Sequence, residues 1–452
     1  MADANRRTVS EVIDGRRGGP WQMVLVALCA VAILLDGADT ISIGLVGKGM
    51  AASAHVPVAA LGPVFSASQL GLLVGALVFG PLGDRVGRKP IVVGSVFVFG
   101  VTTVLITAIH ALPGLVVVRF ITGLGLGGAA PSALALVAEY VPVRIRATAV
   151  AATWAALPLG GAVIGIVSVF VLPHGWEALF LLMGIPAVLL SVVLLFALPE
   201  SLAFLVAAGS RESRIARILR RVAPDLDPAA TQLTAGERRA KGVPVGRLFT
   251  GGRALRTLLL WGAFFTSFLP LIFVTNWGPT VFGQHGITPG QIGIAITLNS
   301  IGSFVGSGLI GRAMDRFGRY GVVLGSCCCA ALSLVALGVT TGGVVGVLVS
   351  ITAAGMFCGA AQSGIITLGS VLHSTAIRST AVGCAMAMGR LGAAVGPLIG
   401  GAMLAAAWQP LAMFGTVALF SVGALVFTAL VRAVGAGRSA DTASEARPRQ
   451  IT

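Results

Sequence analysis

The chain has 452 residues, 56% of them apolar and only 10% charged, with a mean hydropathy of +0.96. That balance excludes an ordinary soluble domain and points to a bilayer. The net charge of +15 would suit nucleic acid, but no stretch between the apolar runs is long enough to fold as a basic soluble domain, so a nucleic-acid partner is excluded as well.

Residues 1–21 form a polar tail carrying Arg6, Arg7, Arg16 and Arg17, read as a cytoplasmic anchor of topology. The apolar run that follows is too long for a signal-peptide core and has no small-residue cleavage site, so no cleavable signal is expected. A helix needs about 20 apolar residues to cross a bilayer. The sequence predicts twelve such spans: 22–47, 58–82, 90–110, 112–137, 147–171 and 176–197, then 256–281, 289–311, 320–341, 343–369, 377–404 and 409–432. Small-xxx-small pairs such as Gly71 with Gly75 and Gly302 with Gly306 suit close helix packing in lipid.

Two short phrases occur twice. Asp84-Arg85-Val86-Gly87-Arg88 returns as Asp315-Arg316-Phe317-Gly318-Arg319, and Ile145-Arg146-Ala147-Thr148-Ala149-Val150 returns as Ile377-Arg378-Ser379-Thr380-Ala381-Val382. The offsets are 231 and 232 residues, so a unit of about half the chain is duplicated head to tail. The expected fold class is therefore an all-α membrane protein, twelve transmembrane helices in two pseudo-symmetric six-helix halves, 22–197 and 256–432. That is the build of a secondary transporter, with its substrate site at the repeat interface near the bilayer midplane.

Between the halves, 198–255 is a polar cytoplasmic linker. Within it Arg214, Ile215, Ile218, Leu219 and Arg221 repeat at helical spacing. Two readings stay open, an interfacial amphipathic helix on anionic lipid or the charged face of a flexible linker. The tail 433–452 is polar and expected to be disordered and cytoplasmic. Of the 31 Lys and Arg, only Lys48 falls in a loop on the side opposite the N-terminus, which puts both termini in the cytoplasm.

The duplicated phrases are read as gates. Asp84 is expected to cap the span starting near Ile377 and Arg378, and Asp315 the span starting near Ile145 and Arg146, so that each half latches the other. Arg85, Arg88, Arg316 and Arg319 accompany the acids.

Inside the spans lie Asp36, Asp39, Arg119 and Arg390. Each costs roughly 2.5–3.5 kcal/mol at mid-bilayer unless paired or hydrated. Asp36 and Asp39 share a helix face, and Asp39 and Arg119 sit at similar depth, roughly 10–12 Å from the outer ends of their spans. Two acids and two bases make a proton-and-anion site, with Asp36 or Asp39 holding the proton and the arginines holding a carboxylate. The alternative, ion pairs that merely lock helices together, stays open. Ser42 of span one, Phe273, Asn276 and Trp277 of span seven, Asn299 of span eight and Gln362 of span ten are candidate contacts in the cavity.

Other chemistry finds little support. The six cysteines lie in apolar spans without His or acidic neighbours at ligand spacing, so neither a metal nor a disulfide framework is expected. Gly123-Leu124-Gly125-Leu126-Gly127-Gly128 satisfies a dinucleotide fingerprint but falls inside a membrane span rather than a βαβ unit. No catalytic triad or phosphate loop is present, so neither an enzyme nor a cofactor is expected. A transporter-like sensor is disfavoured, because both latch copies are intact and no output domain exists.

The paired loop phrase resembles the signature of the major facilitator superfamily, as do Arg119-x-x-x-Gly123-x-x-x-Gly127 and Pro199-Glu200-Ser201. Leu35-Asp36-Gly37-Ala38-Asp39-Thr40 resembles the D-G-x-D signature of the aromatic acid:proton symporter family within it. Leu61-Gly62-Pro63-Val64-Phe65-Ser66-Ala67, Asn276-Trp277-x-Pro279-Thr280 and Gly389-Arg390-Leu391 are similar to the same family. Ala38 departs from it, standing where Phe or Tyr is usual. The resemblance implies uptake of a small aromatic carboxylate with protons across a bacterial plasma membrane, by a monomer in contact with lipid. It also implies that Asp36, Asp39, Asp84, Arg119, Glu139, Asp315, Arg378 and Arg390 matter. Another organic anion, or drug export loosely suggested by Gly160-Gly161, is the competing reading.

Overall fold

The computed structural model describes residues 6–16, 18–210, 212–222, 232–234, 245–250, 254–340, 343–372 and 378–445, without the side chains of Arg6, Arg7, Gln232, Arg247, Arg378, Ser379 and 435–445. It divides into two compact units, Met1–Lys241 and Gly242–Thr452. Among the described residues twelve helices are long and apolar enough to cross a membrane, six in each unit, and the protein is a multi-pass membrane protein.

The first unit opens with strand β1 (Arg6–Thr8) and the short helix α1 (Val9–Asp14). Six spans follow: α2 (Pro20–Ser53), α3 (Gly62–Val86), α4 (Arg88–Leu105), α5 (Leu112–Tyr140), α6 (Val143–Val171) and α7 (Trp176–Ala197). The unit ends in α8 (Leu202–Ala207), α9 (Glu212–Val222) and strand β2 (Gln232–Thr234). The second unit holds α10 (Ala254–Gln284), α11 (Pro289–Phe317), α12 (Arg319–Val339), α13 (Val344–Val371), α14 (Arg378–Ala405) and α15 (Pro410–Glu445).

The duplication is visible in the packing of each unit. In the first, α3 crosses α5, α2 packs on α6 and α4 on α7; in the second, the corresponding pairs are α11 with α13, α10 with α14 and α12 with α15. Glycines at matching positions make the crossings possible. A Cβ at Gly71 would stand 2.0 Å from the Phe120 carbonyl oxygen, and one at Gly123 would stand 2.0 Å from that of Ser68. At offsets of 231 and 232, Gly302 would meet the Thr352 carbonyl oxygen at 2.4 Å and Gly355 that of Asn299 at 2.1 Å. Small residues let backbones approach where lipid gives no hydrophobic drive between helices. Gly160 belongs to the same class, its Cβ position lying 1.9 Å from the Leu34 carbonyl oxygen, so helix packing accounts for it without an exporter motif. The fingerprint-like glycines from Gly123 lie within α5 at its crossing with α3.

The repeated loop glycines have a backbone reason. Gly87 and Gly318, at matching positions, cap α4 and α12 with φ of +104° and +91°. Side chains with a Cβ rarely adopt that region, and at Gly87 a Cβ would also collide with the Glu200 carboxylate at 2.3 Å.

Three features depart from the sequence expectation. The N-terminal tail and the linker contribute the strand pair β1–β2, parallel, with Arg6, Arg7 and Thr8 opposite Gln232, Leu233 and Thr234. The amphipathic segment is a helix, α9, but its apolar face is covered by protein: Leu219 packs with Val12 and Leu233, and Val222 joins the core with Ile215 and Ile218 against it. Periodicity identified the helix and could not identify its cover. The tail beyond Arg432 continues as helix to Glu445, consistent with its alanines and the lack of proline before Pro448. Cys29, Cys327 and Cys358 are buried, whereas Cys328 lies exposed on α12.

Candidate functional site

The site grows from α2. A Cβ at Gly37 would lie 1.8 Å from the Leu157 carbonyl oxygen, so α2 runs tight against α6. That contact leaves Asp36 and Asp39, one turn apart, buried at 3% and 0% exposure. Asp39 turns to α5. Arg119 Nη1 donates to Asp39 Oδ1 at 2.8 Å and Nη2 to Oδ2 at 3.0 Å, with the two side chains 1% and 0% exposed. This two-point fork is the strong form of an Arg–carboxylate pair.

Second contacts fix the guanidinium. Because α5 crosses α3 at Gly123 and Ser68, the Ser68 hydroxyl is within reach, and Nη2 donates to its Oγ at 3.3 Å. The Phe180 ring lies 6.0 Å from the guanidinium carbon and is itself held edge-on by Trp176. Ser42 Oγ donates to the Asp39 backbone carbonyl at 2.9 Å. Arg119 Nε has no hydrogen-bond partner among the described residues, so one donor of the fork stays open. Ser68 and Phe180 carried no signal in the sequence, since Ser and Phe are common in membrane helices.

In the second unit, Asn276 and Asn299 are 2% and 1% exposed, and Oδ1 of each lacks a partner among the described residues. Trp277 is wholly buried. Its Nε1 donates to the Pro397 carbonyl at 3.0 Å, and Gly400 makes room for its ring, which commits the indole to the α10–α14 contact. Phe273 packs edge-on against Phe414, at 6.0 Å between ring centres. Arg390 on α14 and Gln362 on α13 are half-buried.

At the other end of the first unit, Arg88 Nη2 holds Asp84 Oδ1 at 2.5 Å, four residues back across the α3–α4 junction, and Arg85 is exposed. Glu200 Oε1 accepts the backbone N–H of Arg88 at 2.8 Å and of Ser201 at 2.8 Å, tying the end of α7 to the start of α4. Tyr140 donates to the Glu200 backbone carbonyl. Glu139 is half-buried beside them. Arg146 is engaged by Asp14, at 2.6 Å. Asp315, Arg316 and Arg319 are exposed around the α11–α12 junction, while Ile377 and the Arg378 side chain lie outside the described residues. Asp14 was missed as a site residue because one of three acids in an arginine-bearing tail reads as solvated charge.

The sugar (and other) transporter family matches residues 39–437. The 4-hydroxybenzoate transporter PcaK of Pseudomonas aeruginosa is 33% identical over 96% of this chain and 98% of its own. The 3-(3-hydroxy-phenyl)propionate transporter of Escherichia coli is also 33% identical, over 85% and 87%, and the gallate transporter of Pseudomonas putida is 31% identical over 88% of each. Among solved structures, the inward-open xylose transporter XylE of Escherichia coli aligns with a TM-score of 0.73 at 20% identity, covering 90% of this chain and 95% of that one. That likeness shows the fold. The chain belongs to the sugar (and other) transporter family of the major facilitator superfamily, and its relatives there include transporters named for aromatic acids.

Proposed function

We propose that this protein imports a small aromatic carboxylate together with a proton, by alternating access, across the plasma membrane of a bacterium. The observation that carries the reading is the buried fork between Asp39 and Arg119, with a second buried acid, Asp36, one turn away. Relatives named for 4-hydroxybenzoate, hydroxyphenylpropionate and gallate transport support the substrate class.

The fork suggests how charge and cargo are coupled. Arg119 is the buried partner of Asp39. A substrate carboxylate that draws the guanidinium towards itself, using the open Nε–H, removes that counter-ion. Asp39 and the neighbouring Asp36 are the candidate acids for the coupled proton at that step. Acid and proton would bind as a pair and leave as a pair. Arg390 is the second candidate for the carboxylate, and Asn276 and Gln362 are candidates for the rest of the ligand. Trp277 acts as a wall rather than a ligand contact in this reading. The protein works as a monomer, with both termini in the cytoplasm.

Counterflow of radiolabelled benzoate and hydroxybenzoates in proteoliposomes tests the reading. Label should accumulate against its gradient when the outside is made acidic, and collapse with a protonophore. No exchange of any acid in the panel would retire the proposal.

A further inference from the structure

Helix α6 begins at Val143 behind Pro142, whose side chain offers no hydrogen-bond acceptor, so its first N–H groups need a cap from elsewhere. Asp14, the last residue of α1, supplies it. Its Oδ1 accepts the Val143 N–H at 2.9 Å and Arg146 Nη2 at 2.6 Å. A carboxylate is favoured at a helix N-terminus, and here it also neutralises the arginine of the repeated phrase. Arg146 Nε donates back to the Val141 carbonyl at 3.1 Å, so the guanidinium is held on both sides.

Three features deliver Asp14 to that place. Thr8 and Glu11 close a capping box at the start of α1. Val9 and Ile13 are buried in the same core as Tyr140, Val141, Leu198 and Leu202, while Val12 packs on Leu219. Strand β1 then joins β2 of the linker. The segment borders a cavity of about 580 Å³ that Asp84, Arg88, Glu139 and Arg146 also line. It precedes the family match, which begins at residue 39, and it is not duplicated: the position 232 residues after Asp14 is Gly246.

We propose that residues 6–14 are a brace on the first unit and that Asp14 is a positioning residue for transport, fixing the start of α6 and the direction of Arg146. The consequence for transport rests on the function proposed above; the brace itself does not. Because its apolar residues are continuous with the core, the brace travels with the unit as a rigid piece.

The test uses the full-length protein with Asp14→Ala, Asp14→Asn and Asp14→Glu, and an Arg6→Cys/Gln232→Cys pair, in register across the strands, that staples β1 to β2 once the native cysteines are replaced. Amides of Val143 to Arg146 should exchange with deuterium about tenfold faster in Asp14→Ala, as loss of a helix cap implies. Asp14→Asn should fall between, keeping an acceptor but no charge, and Asp14→Glu should restore protection. Affinity for 4-hydroxybenzoate should stay within about twofold while its transport rate per binding-competent molecule, counted by ligand binding in the same proteoliposomes, drops by about fivefold in Asp14→Ala, a split that general loss of folded protein does not give. The oxidised staple should transport at the unstapled rate.

Native exchange in Asp14→Ala overturns the proposal, as does native transport in both Asp14→Ala and Asp14→Asn. Transport blocked by the staple and restored by reductant overturns the rigid brace. If the native protein carries no aromatic acid, the functional reading fails while exchange still decides the brace, so the two failures are told apart.

Discussion

Asp39 and Arg119, eighty positions apart in the chain, face one another with both carboxylate oxygens matched to both terminal guanidinium nitrogens, at 2.8 and 3.0 Å. Neither side chain is more than 1% exposed. Desolvation makes such a pair costly to split, because removing one partner leaves the other charge buried without its counter-ion.

The first expectation concerns stability. Asp39→Ala leaves a buried guanidinium without its counter-ion and should destabilise the protein by about 3–5 kcal/mol. Asp39→Asn/Arg119→Gln removes both charges and should be less damaging than either single change. Thermal melts of the native protein, Asp39→Asn, Arg119→Gln and the double variant, with Asp39→Ala beside them, check this in one detergent; simple additivity would mean that the pair is not coupled.

Carboxylate recognition is expected to need a guanidinium. Arg390→Lys keeps the charge but loses the planar fork and should weaken binding of the preferred acid by about tenfold or more. Arg119→Lys should harm coupling as much as affinity, because Arg119 also serves Asp39. Equilibrium binding of the acid and its neutral amide measures both effects. Equal binding of acid and amide to the native protein would move carboxylate recognition elsewhere.

The repeated loop acids should act on gating. Asp84 spends its charge on Arg88 in this structure, and Asp315 stands exposed at the end of α11. Asp84→Asn and Asp315→Asn should each slow turnover, with cytoplasmic cysteine labelling showing a mouth more often open, and leave substrate affinity nearly native. Native turnover and labelling in both variants would count against the latches.

Helix crossings should fail in matched pairs. Gly123→Val and Gly355→Val both force a side chain onto a carbonyl oxygen that stands only 2.0 and 2.1 Å from the would-be Cβ. Both should lower the yield of folded protein, whereas Gly308→Ala, which meets nothing within 4 Å, should be neutral. Size-exclusion profiles of the three decide it.

The twelve spans were legible because length and apolar content are all that a span requires, and the halves were legible because the loop phrases repeat at one offset. Asp39 and Arg119 were legible for a related reason: ionisable groups are rare in spans, so each one announces itself. Their pairing with each other stayed one of two open readings, since depth along two helices says nothing of rotation about them. Ser68 and Phe180, which orient the guanidinium, use residue types too common to stand out. Asp14 was hidden more thoroughly. Its role depends on Pro142 failing to cap α6 and on a strand pair between segments more than 200 residues apart, and neither leaves a periodic trace.

Proton-driven accumulation in the Asp36→Asn, Asp39→Asn and double variants tests coupling most directly. Proteoliposomes carrying each protein are given an acidic exterior, and uptake of radiolabelled 4-hydroxybenzoate is compared with its exchange in the absence of a gradient. The account predicts that the variant at the coupling acid, and the double variant, still exchange the acid but no longer concentrate it. Undiminished accumulation in both single variants and in the double variant would contradict it.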